Sequence, residues 1–301
     1  MSKILVTGGA GFIGSHLVDE LIRMGNDVVV IDDLSTGLEE YINPKATFYE
    51  TNISYARLSS IFRREKFDFV FHLAAQIDVR LSVVNPQYDN EINLLGGLNV
   101  LENCSKYQVK KIIFASSSAI YGDVTEIPTN EHCLPEPRSP YGIHKLTFEK
   151  YLNFYHKVYG QKYVALRPAN VYGERQFKGG EGGVVSVFID NAVRNQESKL
   201  NGDGTQTRDF VYVGDLVRAF VKALETEYIG VVNIGTGIET DLLQVIGVIG
   251  EALGRHVKIK KMPAIPGEQR RSCLNIERAA KVLGWKPKVD LKAGIKKTIE
   301  M

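Results

Sequence analysis

Hydrophobic residues in the first half of the chain alternate between two spacings. Short uninterrupted apolar runs, with the length and β-branched content of buried strands, occupy residues 28–31, 69–73, 112–115 and 163–166. Ahead of Gly25, apolar residues recur instead at helical spacing, at Ile13, Leu17, Leu21 and Met24. A second long helix is predicted from about Pro86 to beyond Leu101. Strands and helices therefore alternate along this half of the chain.

The second half follows a looser pattern. Residues 173–183 are rich in glycine and charge, which is typical of a mobile loop. A strand near 208–213 and a helix near 215–225 are expected to return to the main sheet, and further helices are predicted near 241–253, 275–283 and 291–300. This order predicts an α/β fold of the Rossmann type, a doubly wound parallel sheet with a smaller α+β C-terminal lobe.

No flexible linker separates the two parts, so we expect them to be interleaved in the chain. The sheet domain is predicted to comprise residues 1–169 plus about 206–227. The lobe is predicted to comprise about 170–205 plus 228–301.

Composition narrows the classes of partner. The 301 residues carry 37 Lys and Arg against 35 Asp and Glu, a formal net charge of +2, so we expect neither a nucleic-acid nor a membrane partner. No apolar stretch is long enough for a membrane span, and the chain opens directly into a strand with no room for a signal peptide. A cytoplasmic protein is the expectation.

Cysteine and histidine have no spacing typical of a metal site. The three cysteines are far apart, and we interpret them as reduced thiols. The histidines are scattered, and we interpret them as structural or surface residues. No metal is expected.

A glycine-rich loop follows the first strand and opens the first helix. Its sequence is Gly8-Gly9-Ala10-Gly11-Phe12-Ile13-Gly14, which fits G-x-G-x-x-G. Such glycines allow a tight turn and a close approach of backbone to a pyrophosphate, which then faces the helix N-terminus. The alternative is a glycine turn that binds nothing.

An acidic residue ends the second strand, 18 residues beyond the last glycine of that loop. Asp32 at this position can accept hydrogen bonds from both ribose hydroxyls and repels a 2′-phosphate, so NAD is predicted in preference to NADP. Asp33 either binds as well or is merely solvated. Asn52 and Ile53 follow the third strand, where an adenine edge could lie.

A tyrosine and a lysine four residues apart form the candidate catalytic pair. Tyr141 and Lys145 share one face of a helix that Pro140 is expected to start. An ammonium near a phenol favours the phenolate, so we expect a lowered Tyr141 pKa and a general base for a hydroxyl proton. A strand-end hydroxyl from Ser116-Ser117-Ser118 could bind the reacting oxygen. The alternative is a surface contact between the two side chains.

These motifs together resemble the extended short-chain dehydrogenase/reductase family, and within it the nucleotide-sugar 4-epimerases of the UDP-glucose type. The segments that carry the resemblance are Thr7-Gly8-Gly9-Ala10-Gly11-Phe12-Ile13-Gly14, His72-Leu73-Ala74-Ala75-Gln76, Ser116-Ser117-Ser118-Ala119-Ile120-Tyr121-Gly122, Tyr141-x-x-x-Lys145 and Leu166-Arg167-Pro168-Ala169-Asn170-Val171-Tyr172-Gly173. They occur in order over nearly the whole chain. The resemblance implies an NAD-dependent isomerase that acts on a UDP-sugar.

The resemblance also implies roles for single residues. Tyr141 would be the base, and Lys145 its electrostatic partner and a ligand of the cofactor ribose. Ser117, four residues before Tyr121, would be the third catalytic residue, with Ser118 beside it in the substrate pocket. The residues that would flank the cofactor are Leu73, Ala74, Ala75, Gln76 and Asn93.

Three further positions would bind the diphosphate of the sugar nucleotide. Asn170 would reach it, and Arg208 resembles the arginine that clamps it, with a surface pair to Asp209 as the alternative. The family often has a second arginine where this chain has Ile265, before Pro266-Gly267-Glu268. Arg270 either substitutes for it or forms a solvated pair with Arg271.

Two departures from the family pattern affect the substrate end. Ser272 stands where some relatives have a bulky residue, so UDP-N-acetylhexosamines remain possible alongside UDP-glucose and UDP-galactose. Glu174 stands where proline is usual.

The residues after the catalytic hydroxyl bear on the reaction type. Dehydrating and decarboxylating relatives typically have an acid there, and this chain has Ser118 and Ala119. Epimerisation at C4 is therefore favoured over the alternatives, a dehydratase or reductase of the same family or a non-catalytic NAD-binding protein. Helices near 86–107 and 142–159 resemble those through which relatives dimerise, which implies a homodimer.

Overall fold

The computed structural model describes residues 1–176, 183–265 and 269–300. In chain order its strands are β1 (Lys3–Thr7), β2 (Asp27–Asp32), β3 (Thr47–Glu50), β4 (Phe69–His72), β5 (Lys111–Ala115), β6 (Lys162–Pro168), β7 (Asn170–Tyr172), β8 (Ser198–Asn201), β9 (Thr207–Arg208), β10 (Phe210–Tyr212), β11 (Gly230–Ile234), β12 (Thr240–Asp241) and β13 (Ile259–Met262).

The α-helices are α1 (Phe12–Arg23), α2 (Leu58–Glu65), α3 (Val79–Val84), α4 (Pro86–Asn90), α5 (Gly97–Lys106), α6 (Pro140–Tyr159), α7 (Val184–Val193), α8 (Val213–Glu225), α9 (Leu242–Leu253), α10 (Glu277–Leu283) and α11 (Leu291–Ile299). A π-helical segment, Glu91–Gly96, joins α4 to α5. The long helix predicted from Pro86 is thus present, with this widened turn inside it.

Seven parallel strands form the main sheet, in the order β11-β6-β5-β4-β1-β2-β3. The central strands are nearly continuous runs of apolar residues because both of their faces are covered. Register is set by pairs such as Val6 with Val30 and Val6 with Phe71. The predicted parallel sheet is confirmed.

Successive side chains of each strand enter two separate cores. Val6 packs on one face among residues of α1, α8 and α10. Leu5 packs on the other face among residues of α2, α5 and α6. Helices therefore cover both faces, as predicted for a doubly wound fold.

The smaller lobe has its own core and short strand pairs. Helices α7, α9 and α11 contribute Phe188, Val245 and Ile295 to this core. The pairs β8 with β13 and β9 with β12 lie beside it. Helix α7 had no counterpart in the sequence prediction.

One strand lies in a different place from the one expected. The segment near 208–213 does not enter the main sheet, because β10 pairs with β7 in a separate two-stranded sheet. The position beside β6 is taken by β11, which the sequence interpretation had assigned to the lobe. Strands β9 and β10, on either side of the buried Asp209, have two and three residues and are too short to fill that edge. Strand β11 has five residues. The division into two interleaved parts otherwise stays a prediction.

Within the described ranges, no helix combines the length and apolar character needed to cross a bilayer.

Candidate active site

The loops after β1, β4 and β5 meet at one edge of the sheet. Thr7 pairs with His72, and His72 pairs with Phe114, so the carboxyl ends of these strands lie side by side. Ligands of open parallel sheets bind outside this edge. Most of the predicted site residues lie here.

The glycine-rich loop is shaped by positions that exclude a side chain. Gly8 has φ +74°, and a Cβ there would lie 2.6 Å from the backbone nitrogen of Ala74. A Cβ on Gly14 would lie 2.0 Å from the carbonyl oxygen of Gly8. Gly11 is the N-cap of α1 and has no side chain to cap it, so the first N–H groups of the helix receive no side-chain partner from this position. This bare backbone at a helix N-terminus fits the pyrophosphate of a dinucleotide.

Asp32 lies beside this loop at the end of β2. Its carboxylate is 8% exposed and accepts hydrogen bonds from the Ala10 N–H at 2.9 Å and the Leu34 N–H at 3.0 Å. Burial raises its pKa above the ordinary value. Both carboxylate oxygens are thus held beside the glycine-rich loop, and the binding of an adenosine ribose by Asp32 stays a prediction.

Asp33 and the two residues predicted to lie near the adenine, Asn52 and Ile53, are also brought together. Asp33 is exposed, and its Oδ2 accepts a hydrogen bond from Asn52 Nδ2 at 2.7 Å. Ile53 is buried, and its carbonyl accepts a hydrogen bond from Asn99 at 2.7 Å. Asp33 therefore has a partner as well as solvent, and its binding role stays a prediction.

The segment Leu73-Ala74-Ala75-Gln76 closes against the glycine-rich loop. The Ala74 N–H donates to Thr7 Oγ1 at 3.3 Å. Asn93 holds both backbone groups of Gln76, since its Oδ1 accepts from the Gln76 N–H at 3.0 Å and its Nδ2 donates to the Gln76 carbonyl at 2.8 Å. The resemblance placed these residues beside the cofactor, and the fold places them beside the loop that would bind it.

Helix α6 carries the candidate catalytic pair. The Ser139 hydroxyl caps the helix by accepting from the Gly142 N–H at 3.2 Å. Lys145 Nζ lies 5.7 Å from the centre of the Tyr141 ring and donates to the Ala115 carbonyl at 2.9 Å. Ser117, just after β5, lies close enough to Tyr141 to lower the pKa of the phenol. All three predicted catalytic residues therefore meet at the end of β5.

The expected lowering of the Tyr141 pKa is not found. Burial raises the pKa of Tyr141 to about 12, and the Ser117 hydrogen bond opposes this only in part. Burial also lowers the pKa of Lys145 to about 8. The sequence argument considered the attraction between ammonium and phenolate but not the loss of water around both groups, which favours their neutral forms.

The three consecutive serines have different surroundings. Ser116 is buried and donates to Glu149 at 2.6 Å, and Glu149 is paired with Arg167. Ser117 contacts Tyr141, and Ser118 begins a short 3-10 turn, Ser118–Ile120. Of the three serines, Ser117 is the one that affects the Tyr141 pKa, and its catalytic role stays a prediction.

The predicted diphosphate ligands lie on the lobe side of the same edge. Asn170 is exposed at the start of β7, and its N–H donates to the Asp209 carbonyl at 2.9 Å. Arg208 is half-buried, and its Nη1 donates to the Thr207 carbonyl at 2.8 Å. Asp209 is fully buried, so a surface pair with Arg208 is ruled out.

Arg270 has partners that the sequence did not predict. Its guanidinium lies 3.4 Å from Asp203 and donates to Thr205 at 2.8 Å, whereas Arg271 pairs with Glu239. The two arginines are both exposed to solvent and pair with different acids, so the choice between a diphosphate ligand and a solvated pair stays open for Arg270. Ser272 is half-buried, and the neighbouring Pro266-Gly267-Glu268 turn lies outside the described residues.

Glu174, the unusual residue at a proline position, connects the lobe to the cofactor helix. Its carboxylate accepts from the Tyr212 hydroxyl at 2.7 Å, and its carbonyl lies 2.9 Å from His16 Nε2 on α1. The mobile loop expected at residues 173–183 begins at this point of the chain. Its residues 177–182 lie outside the described residues.

Two residues near the site were not predicted. Oδ2 of Asp89 lies 2.5 Å from Nδ1 of His144, next to the candidate catalytic pair. His144 was interpreted as one of the scattered structural or surface histidines. Its position directly before Lys145 was the only available signal, since its acidic partner lies 55 residues away in sequence.

The fold and this geometry together define a dinucleotide-binding enzyme. The chain belongs to the NAD dependent epimerase/dehydratase family, whose model matches residues 4–235. The predictions of the family and of NAD as cofactor are confirmed.

Relatives and solved structures resemble the chain over almost its full length. A UDP-glucose 4-epimerase of Mycolicibacterium smegmatis is 40% identical, over 99% of this chain and 97% of its own. The UDP-glucose 4-epimerase of Thermotoga maritima, solved with UDP-glucose, is 46% identical with a TM-score of 0.97, covering 99% of this chain and 97% of that one. The Thermus thermophilus UDP-glucose 4-epimerase complex with NAD is 40% identical with a TM-score of 0.94, covering 99% and 98%.

Proposed function

We propose that this protein interconverts UDP-glucose and UDP-galactose by NAD-dependent epimerisation at C4, through a transient 4-keto sugar. The observation that carries the proposal is that Ser117, Tyr141 and Lys145 come together at the same edge of the sheet as the glycine-rich loop. The similarity to UDP-glucose 4-epimerases over the whole chain supports the choice of substrate.

Each catalytic side chain has a distinct task in this proposal. Tyr141 accepts the proton of the C4 hydroxyl and later returns it, and Ser117 binds the same oxygen and relays the proton. Lys145, held by the Ala115 carbonyl, provides positive charge beside the phenol and binds the cofactor ribose. Bound NAD supplies the chemistry of accepting a hydride from C4 and giving it back, so the reaction has no net redox change.

The lobe would hold the nucleotide while the sugar turns. Asn170 and Arg208 would bind the diphosphate, with Arg270 as a second cation once it leaves Asp203. The keto sugar would rotate about its link to this anchored diphosphate and present its other face. In this division, residues 1–169 plus about 206–227, extended by β11, hold NAD, and the remainder holds the sugar nucleotide.

The residues after Ser117 favour epimerisation over dehydration. Ser118 and Ala119 form the 3-10 turn next to the catalytic hydroxyl, where an acid would be needed to expel water from a neighbouring carbon. A relative at 32% identity, the UDP-glucuronic acid decarboxylase 1 of Arabidopsis thaliana, shows that similarity alone does not separate these activities.

Incubation of purified protein with UDP-glucose and NAD tests the proposal. UDP-galactose should form with no accumulation of NADH. A stable 4-keto product would support a dehydratase instead. Stoichiometric NADH consumption in a parallel assay supplied with NADH would support a reductase. NAD binding without conversion of UDP-glucose, UDP-galactose or UDP-N-acetylglucosamine would leave only a non-catalytic role.

UDP-N-acetylhexosamines are a second candidate substrate. The small, half-buried Ser272 favours space for an N-acetyl group. A UDP-N-acetylglucosamine 4-epimerase of Methanobrevibacter ruminantium is similar, with 34% identity and a TM-score of 0.95. Comparison of kcat/KM for UDP-glucose and UDP-N-acetylglucosamine, in the protein and in its Ser272→Tyr variant, tests this, since the variant should lose only the N-acetylated substrate.

The protein is further proposed to be a cytoplasmic homodimer. The α3–α6 region exposes many large apolar side chains, and exposed apolar patches mark interaction sites. They are Val79, Leu81, Val83, Val84, Tyr88 and Leu95 before α6, and Ile143, Tyr151, Phe154, Val158 and Tyr159 on α6. A second copy of the chain covering this face would bury them in a four-helix bundle. Sedimentation should give a dimer that Phe154→Glu converts to a monomer.

A further inference from the structure

Asp89 is a fully buried carboxylate that the proposed reaction does not use. It lies on α4 with no exposed surface. Its Oδ1 accepts from Gln76 Nε2 at 2.7 Å and from Asn93 Nδ2 at 2.9 Å, and its Oδ2 lies 2.5 Å from Nδ1 of His144. As a carboxylate Asp89 accepts from the amide N–H groups of Gln76 and Asn93, and the Nδ1–H tautomer of His144 is the one that can donate to its Oδ2. All three donors come from elements that line the site.

The partners of Asp89 lie on the two sides of the site. His144 is on α6, directly before Lys145 and three residues after Tyr141. Gln76 ends the segment that flanks the cofactor, and Asn93 clamps the backbone of Gln76 from both sides. One carboxylate therefore connects the catalytic helix with the cofactor-flanking segment.

The chemistry of this cluster is unusual for simple packing. Burial of a carboxylate has a large desolvation cost, which is offset only when its oxygens are fully hydrogen-bonded. Apolar side chains would hold α4 against α6 at lower cost and with no fixed direction. Hydrogen bonds at three defined positions instead fix both the distance and the orientation of the elements that they join.

We propose that Asp89 and His144 form a positioning pair that holds the cofactor-flanking segment at a fixed place relative to Tyr141 and Lys145. This inference deepens the proposed function and rests on it for the identity of the reaction. Without the His144 N–H, Asp89 keeps its contact to Gln76 but loses its contact to the catalytic helix. The tyrosine and the cofactor segment can then shift independently, and catalysis is sensitive to misplacement on the ångström scale.

Two substitutions at His144 separate positioning from packing. His144→Ala removes the N–H, whereas His144→Asn places an amide N–H where the imidazole Nδ1 was. His156→Ala is the matched control, because His156 is a half-buried histidine near the other end of α6, 3.2 Å from the Gln161 carbonyl.

The measurements are NAD affinity by calorimetry, kcat and KM with UDP-glucose, and the low-field proton NMR signal of the imidazole. For His144→Ala, we expect NAD affinity and kcat each to fall about tenfold, with the KM for UDP-glucose within about twofold of the wild type. His144→Asn should recover most of the loss. The wild type should show a low-field imidazole N–H signal that both His144 variants lack and His156→Ala retains.

Two results would overturn the inference. One is a His144→Ala protein whose NAD affinity and kcat stay within about twofold of the wild type. The other is an equal loss in His144→Ala, His144→Asn and His156→Ala, which would indicate a general loss of stability. If the wild type does not epimerise UDP-glucose, the proposed function fails, but NAD affinity and the NMR signal still test the pair.

Discussion

Burial changes the two central side chains of the site in opposite directions. It raises the pKa of Tyr141 to about 12 and lowers the pKa of Lys145 to about 8. Both shifts favour the neutral forms, so the phenol needs nearby positive charge and a hydrogen-bond partner in order to act as a base. Ser117 provides the partner, and Lys145 provides the charge as long as it remains protonated.

Removal of the phenol hydroxyl should abolish turnover without unfolding the protein. We expect Tyr141→Phe to lower kcat at least about 1000-fold, because the variant lacks the hydroxyl that takes the C4 proton in the proposed reaction. NAD affinity should change little. Tyr151→Phe, at an exposed tyrosine of the same helix, is the control and should retain full activity. Comparable activity of the two variants in a coupled UDP-galactose assay would remove Tyr141 from the mechanism.

His72 predicts how stability depends on pH. It is 1% exposed, its Nδ1 lies 2.8 Å from Thr7 Oγ1, and burial lowers its pKa to about 3. The unfolded chain, with a pKa near 6.5, therefore binds a proton that the folded protein does not. Stability from this group is complete above pH 6.5 and declines as pH falls toward 3, by up to about 1.4 kcal/mol per pH unit.

Urea unfolding at several pH values between 6.5 and 4.5 tests this prediction. His72→Asn keeps a polar group near Thr7 and cannot titrate, so its free energy of unfolding should depend less steeply on pH than that of the wild type. Equal slopes for the two proteins would show that His72 is not the group responsible.

Residues that act through sequence neighbours were predicted better than residues that act through distant ones. Tyr141 and Lys145 are four apart on one helix, so their proximity follows from helical geometry alone. The role of Asp89 depends on a contact between two elements, and no spacing within the sequence contains that information. The expected Tyr141 pKa was wrong for the same reason, since burial is a property of the folded chain.

At the scale of elements, the glycine-rich loop is the most constrained feature. Its glycines lie against the backbone of Gly8 and Ala74 at distances that leave no room for a Cβ. This close packing brings the N-terminus of α1 to the edge of the sheet, where a pyrophosphate would bind.

A single methyl group in this loop should disrupt cofactor binding. In Gly14→Ala the new Cβ would lie 2.0 Å from the Gly8 carbonyl oxygen, so the loop must move. We expect a loss of about 2 kcal/mol or more in stability and a large loss of NAD affinity. Gly247→Ala in α9 is the matched control, because its Cβ would meet nothing within 4 Å, and it should stabilise the protein by up to about 1 kcal/mol. Calorimetry measures the NAD affinity, and thermal unfolding measures the stability. Unchanged NAD affinity in Gly14→Ala would contradict the assignment of this loop as the pyrophosphate-binding site.

At the scale of the whole molecule, Asp209 joins distant parts of the chain. Its Oδ1 accepts from the N–H and the hydroxyl of Thr236 at 2.7 and 2.6 Å, and its Oδ2 accepts from the N–H groups of Gly237 and Leu274 at 3.1 and 3.3 Å. Thr236 and Gly237 follow β11, and Leu274 precedes α10. The carboxylate thus fixes the lobe next to Arg208, the candidate diphosphate ligand.

Loss of one carboxylate oxygen at this joint should weaken both stability and substrate binding. In Asp209→Asn an amide group would face two N–H donors, and we expect the free energy of unfolding to fall by about 2–4 kcal/mol. The KM for UDP-glucose should rise because Arg208 is displaced, while NAD affinity should be preserved. Glu197→Gln, at an exposed acid of the lobe, is the control and should leave the urea midpoint unchanged. A urea midpoint of Asp209→Asn equal to that of the wild type would show that Asp209 does not hold these segments together.

The sequence by itself determined the parallel sheet, the helices on both faces, the glycine-rich loop with Asp32, and the Tyr141–Lys145 pair. These features follow from local periodicity and from short spacings, which chain geometry converts directly into structure. Tertiary structure alone decided that β11 takes the edge beside β6, that burial raises the Tyr141 pKa, and that Asp89 meets His144. Those outcomes depend on competition between distant segments for the same contacts and on the exclusion of water, which no stretch of sequence specifies locally.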